Sequence, residues 1–477
     1  MKILFAASEC APFIKTGGLG DVAGALPKEL AKKGVTIRVV LPYYQKIADA
    51  YQDQVEDVTN FEVMVGYRRQ YCGIKTLTLA GVQFYFIDNL FYFNRENVYG
   101  YYDDGERFAF LQLAIIEMLE KIDYIPDLIH VNDYHTALIP FLLKEKYDWI
   151  NRYRKIETLL TIHNIEFQGK MSRESMSDLF GIGTERYDDG TARWEDCFNW
   201  LKTGILYASR INTVSPSYAE EIKTSEFGSG LDIVLRMESG KLSGITNGID
   251  YQLLNPETDP LLKYHFSSKD LTGKAKNKAW IQEKVGLPIR ADVPLLSVIS
   301  RLTYQKGFNL LIDELDYLMQ DDIQLILIGT GDLRFESEFE YYAAKYPDKF
   351  IALITFDVAL AQEVYAGSDL FLMPSAFEPC GLSQMMSMRY GTLPIVHEVG
   401  GLKDTVIPYN PKTHQGTGFG FAEFSSYRFK EAIDKAVNVY QSNPKIWRKL
   451  QTQAMTTDFS WDLASQLYQE LYQDILG

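Results

Sequence analysis

Apolar and polar residues alternate along this chain in blocks rather than in single steps. Short, almost wholly apolar runs fall at residues 3–7, 35–41, 82–87, 128–131, 158–162 and 211–214. Longer stretches with helical spacing separate them, such as residues 22–33 and 106–122. A short apolar run without polar alternation predicts a parallel strand buried on both faces. The rhythm returns at 295–299, 323–328, 351–355, 370–373 and 393–396, with helices predicted around 310–319, 335–344, 360–367 and 382–390. Serial βα units predict an α/β chain with two doubly wound sheets. Turn residues cluster at 244–250 and again at Asn255-Pro256, which places a boundary there. The expected domains are residues 1–245, joined by a last amphipathic helix within 459–477, and residues 246–458. Residues 263–287 read as a helix whose Lys269, Lys274, Lys276, Lys278 and Lys284 form a solvated basic face.

Length agrees with this division, because 477 residues exceed what one core normally holds. Hydrophobic residues make up 46% and charged residues 23%, ordinary values for a globular protein. The formal net charge of -15 argues against a nucleic-acid partner and requires local positive charge wherever an anion binds. No basic stretch followed by an apolar leader opens the chain, and no apolar run reaches membrane-spanning length, so neither a signal peptide nor a membrane is expected. The four cysteines, Cys10, Cys72, Cys197 and Cys380, lack metal-ligand spacing, and a reducing, cytoplasmic setting is expected. The chain's 31 tyrosines and 27 phenylalanines supply many rings, some of which suit stacking on sugar faces.

Chemistry gathers where strands are predicted to end, the place where doubly wound sheets bind ligands. Lys15-Thr16-Gly17-Gly18-Leu19-Gly20-Asp21 lies between the first apolar run and the first predicted helix. Its glycines expose backbone N–H groups at a helix start, which attracts anions. Lys15 adds a full charge, and Asp21 a carboxylate able to bind a hydroxyl or a base edge. Gly18 to Ala23 fits G-x-G-x-x-A, yet the dinucleotide reading fails on two points. The glycines do not follow the strand directly, and the second strand ends in Pro42-Tyr43-Tyr44 rather than near an acid for the ribose. In the second half, Arg301 and Lys306 share one post-strand loop, a bidentate donor and a compact charge suited to a diphosphate. Gly329-Thr330-Gly331 and Gly400-Gly401 make further post-strand turns. Glu378 follows the 370–373 strand, where it can accept from sugar hydroxyls, with the backbone N–H groups of Cys380, Gly381 and Leu382 beside it. In the first half, Asp133 and His135 follow one strand and His163 and Asn164 the next. The two histidines lack a ligand ladder, and no Asp-x-Asp occurs to bring a divalent ion to a nucleotide diphosphate. No metal is therefore expected, and Lys15, Arg301 and Lys306 are left to neutralise phosphate.

Taken together, Lys15 to Asp21, Ser300-Arg301-Leu302 with Gln305-Lys306-Gly307, and Glu378 to Leu382 resemble bacterial glycogen synthase and plastid starch synthase over essentially the whole chain. The resemblance implies the GT-B arrangement, two Rossmann-like domains facing across a deep cleft. It implies a retaining, metal-independent glycosyltransferase that moves glucose from ADP-glucose to the non-reducing end of an α-1,4-glucan, with no cofactor. By the same resemblance Lys15 and Gly18 contact the donor phosphates, Arg301 and Lys306 stabilise the departing ADP, and Glu378 holds the glucose hydroxyls beside Cys380, Gly381 and Leu382. His163 lines the transferred glucose next to Asn164. Asp21, Asp133 and His135 line the first domain's side. Tyr99, from the 97–102 stretch, supplies a tyrosine, and Phe356 an aromatic near the adenine. A UDP-glucose donor, a catalytically silent glucan-binding protein and a phosphorylase remain as alternatives. The intact cations argue against the second, and the third needs a pyridoxal-phosphate lysine.

Overall fold

The computed structural model describes all 477 residues, which divide into two compact units, Met1–Asn247 with Trp461–Gly477, and Gly248–Ser460. The strands of the first unit are β1 (Lys2–Ala6), β2 (Thr36–Pro42), β3 (Glu56–Val65), β4 (Arg68–Leu79), β5 (Val82–Asp88), β6 (Leu128–Asn132), β7 (Glu157–Ile162), β8 (Lys170–Met171), β9 (Arg193–Trp194), β10 (Cys197–Asn199), β11 (Arg210–Thr213) and β12 (Leu242–Gly244). Nine of them form one sheet in the order β12-β11-β7-β6-β1-β2-β5-β4-β3, and β8, β10 and β9 form a small separate sheet. In β1, Ile3, Leu4, Phe5 and Ala6 are fully buried, as a central strand covered on both faces must be.

The large sheet departs from the sequence reading at one edge. It is parallel from β12 to β5, but β4 runs antiparallel to both β5 and β3. The sequence pattern predicts no strands at residues 56–79, because this edge hairpin mixes charged and apolar positions and lacks the solid apolar signature of the buried strands. The first helix also begins earlier than its apolar pattern predicts, at Gly18 rather than residue 22, so the glycines form its first turn. The C-terminal helix Trp461–Leu476 packs on this unit and is tied in by buried polar groups. His130 Nδ1 meets the Tyr472 hydroxyl at 2.7 Å, and Asn212 Nδ2 donates to the Tyr468 hydroxyl at 3.0 Å.

The second unit carries β13 (Leu295–Ile299), β14 (Gln324–Ile328), β15 (Phe350–Leu353), β16 (Leu370–Met373), β17 (Leu393–His397) and β18 (Phe419–Phe421). They form one wholly parallel sheet, β15-β14-β13-β16-β17-β18. Its two chain ends lie side by side, with Ile249 N–H donating to Phe459 O at 2.8 Å. The helix Thr272–Val285 corrects the expected solvated basic face. Lys269, Lys276 and Lys284 are exposed, but Lys274 and Lys278 are only 5% and 6% exposed. Lys278 pairs with Asp369 at 2.7 Å and donates to the Tyr440 hydroxyl at 2.9 Å. Lys274 donates to Ala366 O at 3.0 Å and Thr392 Oγ1 at 2.8 Å. These amines border a cavity of about 200 Å³, yet their donors already serve protein acceptors.

Candidate functional site

In each unit the expected site residues lie at the carboxyl ends of strands, and the two sets are described separately. In the first unit, β1 leads into Ala7–Gly17, β6 into Asp133–His135, and β7 into His163 and Asn164. Lys15 Nζ lies 2.6 Å from Asp21 Oδ1. The Lys15 stem packs against Gly20, where an added Cβ would lie 3.1 Å from the lysine Cβ. At Gly18 the space is open, with nothing within 4 Å of an added Cβ. The helix start is less available to an anion than the glycine pattern suggests. Thr16 N–H and Gly20 N–H both donate to the buried carboxylate of Glu9, at 2.6 and 3.0 Å. The first-turn N–H groups of Gly18 and Leu19 are the donors that remain uncommitted.

Asp133 adopts a left-handed conformation with φ of 53°, which turns its side chain back toward the loop after β7. Its Oδ1 accepts from His163 N–H at 2.7 Å and, more weakly, from Asn164 N–H at 3.4 Å. Burial pushes the Asp133 carboxyl up to about 7, against the opposing effect of those two bonds. Burial also drives His163 down to about 3, so the ring is neutral. Its tautomer follows from Asn132. The Asn132 amide NH₂ donates to Ala6 O at 3.0 Å, so its Oδ1, 2.9 Å from His163 Nε2, accepts and Nε2 carries the proton. The Asn164 carbonyl oxygen is spent locally, accepting from Glu166 N–H at 3.0 Å.

His135 stacks on Tyr99 at 4.7 Å between ring centroids and meets the Phe108 edge at 4.6 Å. The ring is buried and neutral, pushed to about 3 by desolvation and by nearby Arg107. Its Nδ1 has no hydrogen-bond partner. The Tyr99 hydroxyl lies 2.7 Å from Ser8 Oγ. Lys15, on the loop, thus adjoins Gly18 and Asp21 in the first turn of the following helix, Asp133, His163 and Asn164 form one hydrogen-bonded corner, and Tyr99 and His135 form one stack. Sequence reasoning passed over Glu9 and Asn132. Their only signal is a polar side chain that ends an apolar strand, Asn132, or falls within three residues of its end, Glu9.

In the second unit, Lys306 Nζ lies 2.6 Å from Glu378 Oε2, with side-chain exposures of 17% and 8%. Ser375 Oγ donates to the same carboxylate oxygen at 3.0 Å. The loops after β13 and β16 are pressed together to make this pair. Gly307 has φ of 71°, and a Cβ there would fall 1.8 Å from Pro374 O. Gln305 O accepts from Ala376 N–H at 2.8 Å, a second tie between the loops. The Arg301 guanidinium, exposed on the β13 loop, has no carboxylate within ion-pair distance. Cys380 is buried, Gly381 has φ of 70°, and Leu382 caps the helix Ser383–Arg389. Gln384 Nε2 donates to Cys380 O and Gly381 O, fixing that turn. Phe356 stands apart on the loop after β15, 84% exposed and outside the Lys306–Glu378 hydrogen-bond network. No cluster of three or more His, Cys, Asp or Glu side chains is arranged to hold a metal ion.

Comparison with known proteins gives this geometry a context. Residues 2–237 match the starch synthase catalytic domain family and residues 281–450 the family of glycosyl transferases group 1. The chain is 62% identical over 477 residues to proteins described as glycogen synthase from Streptococcus pneumoniae strains JJA and CGSP14, covering 100% of both chains in each case. The catalytic domain of starch synthase IV from Arabidopsis thaliana, bound to ADP and acarbose, superposes with a TM-score of 0.93 at 33% identity, over 100% of this chain and 99% of that one. Sucrose-phosphate synthase from Thermosynechococcus elongatus, at 18% identity and a TM-score of 0.60 over 99% and 98% of the chains, shares the fold.

Proposed function

Because this chain belongs to the glycogen and starch synthase family of glycosyltransferases, with the two domains of the GT-B type, we propose that it uses ADP-glucose to extend the non-reducing end of an α-1,4-glucan. Transfer of glucosyl units from a nucleotide sugar to a glucan, in glycogen synthesis, is the activity of the family. The finer reading concerns the donor, the site residues and the means of charge stabilisation. It is supported above all by the Lys306–Glu378 pair, with an unpaired Arg301 on the loop that carries Lys306.

Cleavage at the anomeric carbon places negative charge on the departing diphosphate and positive charge on the sugar. Arg301, with no competing carboxylate, presents planar paired donors to phosphate oxygens. Lys306 is held in advance by Glu378 and needs no reorganisation as charge develops, the condition under which such contacts are strongest. Glu378 in turn accepts from hydroxyls of the glucose. On the first unit Lys15 adds a further cation, and neutral His163 lines the glucose without opposing the positive charge that grows on it. Three carboxylates there are engaged: Glu9 by its loop, Asp21 by Lys15, Asp133 by backbone N–H groups. That favours attack by the acceptor on the face from which ADP leaves, with retention, over a covalent carboxylate intermediate. Cations do the work of a metal in this scheme, and neither a metal nor a resident cofactor is required. ADP in the starch synthase IV structure supports the choice of nucleotide, and acarbose, a glucan mimic, the choice of acceptor. None of the four cysteines is in a disulfide, which suits a cytoplasmic setting.

Initial rates with ADP-glucose and UDP-glucose, with and without glycogen, test this reading. ADP release that depends on glycogen and survives a chelator is expected. Faster turnover of UDP-glucose would overturn the donor assignment, and activity lost to the chelator and restored by magnesium would overturn the cation scheme.

A further inference from the structure

Glu9 is 2% exposed, and no lysine, arginine or histidine lies within ion-pair distance of it. Its charge is met by one loop alone. Oε2 accepts from Thr16 N–H and Thr16 Oγ1, both at 2.6 Å, and Oε1 accepts from Gly20 N–H at 3.0 Å. Removing a carboxylate from water is costly, and only charge-assisted bonds of this kind offset the cost. Burial raises the Glu9 pKa and the bonds from Thr16 and Gly20 oppose the rise, in keeping with that balance. The bonded residues bracket the functional part of the loop. Thr16 follows Lys15 directly, and Gly20 is the residue against which the Lys15 stem packs. Gly18, with its open face, lies between them.

The geometry points to Glu9 as a positioning residue for glucosyl transfer, one that fixes Thr16 and Gly20 so that Lys15 and the Gly18 N–H are held in their working orientation before substrate arrives. This rests on the assignment of Lys15 to the donor phosphates. Glu9 touches no reacting atom in this account; it acts through the loop. A displaced donor group loses rate steeply with small errors in placement, so the cost of loosening the loop falls on kcat rather than on acceptor binding.

Glu9→Gln keeps the shape but removes the charge and turns an NH₂ group toward N–H donors. With ADP-glucose and glycogen, we expect kcat to fall at least thirtyfold while KM for glycogen changes less than threefold and the urea midpoint stays near that of the wild type. The double variant Glu9→Gln/Lys15→Ala is expected to be no slower than Lys15→Ala alone, because both changes remove the same positioned group. Thr16→Val, which deletes only one hydroxyl bond, is the milder probe should Glu9→Gln fold poorly, and a fall in kcat of threefold or more with KM unchanged is expected. Unchanged kcat in Glu9→Gln, a rise in KM for glycogen with kcat intact, or losses that multiply in the double variant would each overturn the proposal. A wild-type enzyme that fails to release ADP from ADP-glucose in the presence of glycogen would instead overturn the functional reading itself.

Discussion

Lys306 and Asp133 are two buried or nearly buried ionisable groups with opposite roles. The Lys306 ammonium is placed by Glu378 at 2.6 Å, and replacing it with alanine removes a phosphate partner and strands a carboxylate that is 8% exposed. Loss of one preorganised charge contact at a leaving group typically costs about 3 kcal/mol of barrier. Lys306→Ala should therefore lower kcat by about a hundredfold. Near-wild-type kcat at saturating ADP-glucose would remove Lys306 from the mechanism. For Asp133 the prediction concerns stability. Its folded value of about 7 lies above the unfolded value of about 3.9. The folded state therefore holds the proton more tightly, and this group favours folding at low pH and loses that contribution as pH rises from about 4 to 7. Neutral His135 and His163 act in the opposite sense, since folding keeps protons off them, so the Asp133 effect appears only by difference. In urea titrations Asp133→Asn should gain stability relative to wild type between pH 4 and 7, then level off. A difference that does not depend on pH would show that Asp133 is ionised throughout. The identities of both residues were legible because each follows an apolar strand. The left-handed turn that aims Asp133 at His163 was not, since nothing in the local sequence of an aspartate dictates positive φ.

The loop Tyr304–Gly307 shows how elements, rather than single side chains, make the second unit's site. Its glycine is needed for two reasons, a left-handed φ and a carbonyl of the neighbouring loop where a side chain would begin. Gly307→Ala should push the β13 and β16 loops apart and separate Lys306 from Glu378. The expected outcome is a loss of activity of tenfold or more with a lowered unfolding midpoint, measured side by side on one preparation. Full activity would mean that the two loops tolerate the separation. The central parallel strands could be read from the sequence to within a few residues, because their burial on both faces leaves an unbroken apolar run, but the short strands β12 and β18 and the helices Ser426–Ser442 and Pro444–Thr456 were not legible there. The β3–β4 hairpin could not, because an edge exposes one face and one side to water. The Thr272–Val285 lysines misled for a related reason. Composition shows a lysine's charge but not whether carbonyls and Asp369 await it, and Lys274 and Lys278 have such partners inside the unit.

The chain leaves the first unit after Asn247 and returns to it at Trp461, so that unit is complete only when both of its segments are present. The return is secured by polar contacts that a plain amphipathic helix would not need. His130 bridges Tyr472 and Thr161, and Thr161 in turn donates to Asn212, whose amide reaches Tyr468. Tyr472→Phe should cost about 1–3 kcal/mol, the usual penalty for leaving a buried polar partner unmatched. A urea midpoint unchanged by Tyr472→Phe would show that His130 finds another partner. The two-unit division and the helix at 461–476 were visible in the sequence, but its buried tyrosine–histidine linkage was not, because His130 carries no mark that distinguishes it from the histidines near the substrate. The interrupted course of the first unit also has a bearing on synthesis. A ribosome delivers Gly248–Ser460 in full, with its own sheet and its own paired ends, before it has made the helix that packs on Gly18–Lys32 and bonds to His130 and Asn212. The lobe begun first is thus the last to be finished, and until translation reaches its final turn of helix the nascent chain carries an uncovered apolar face that a chaperone would have reason to shield.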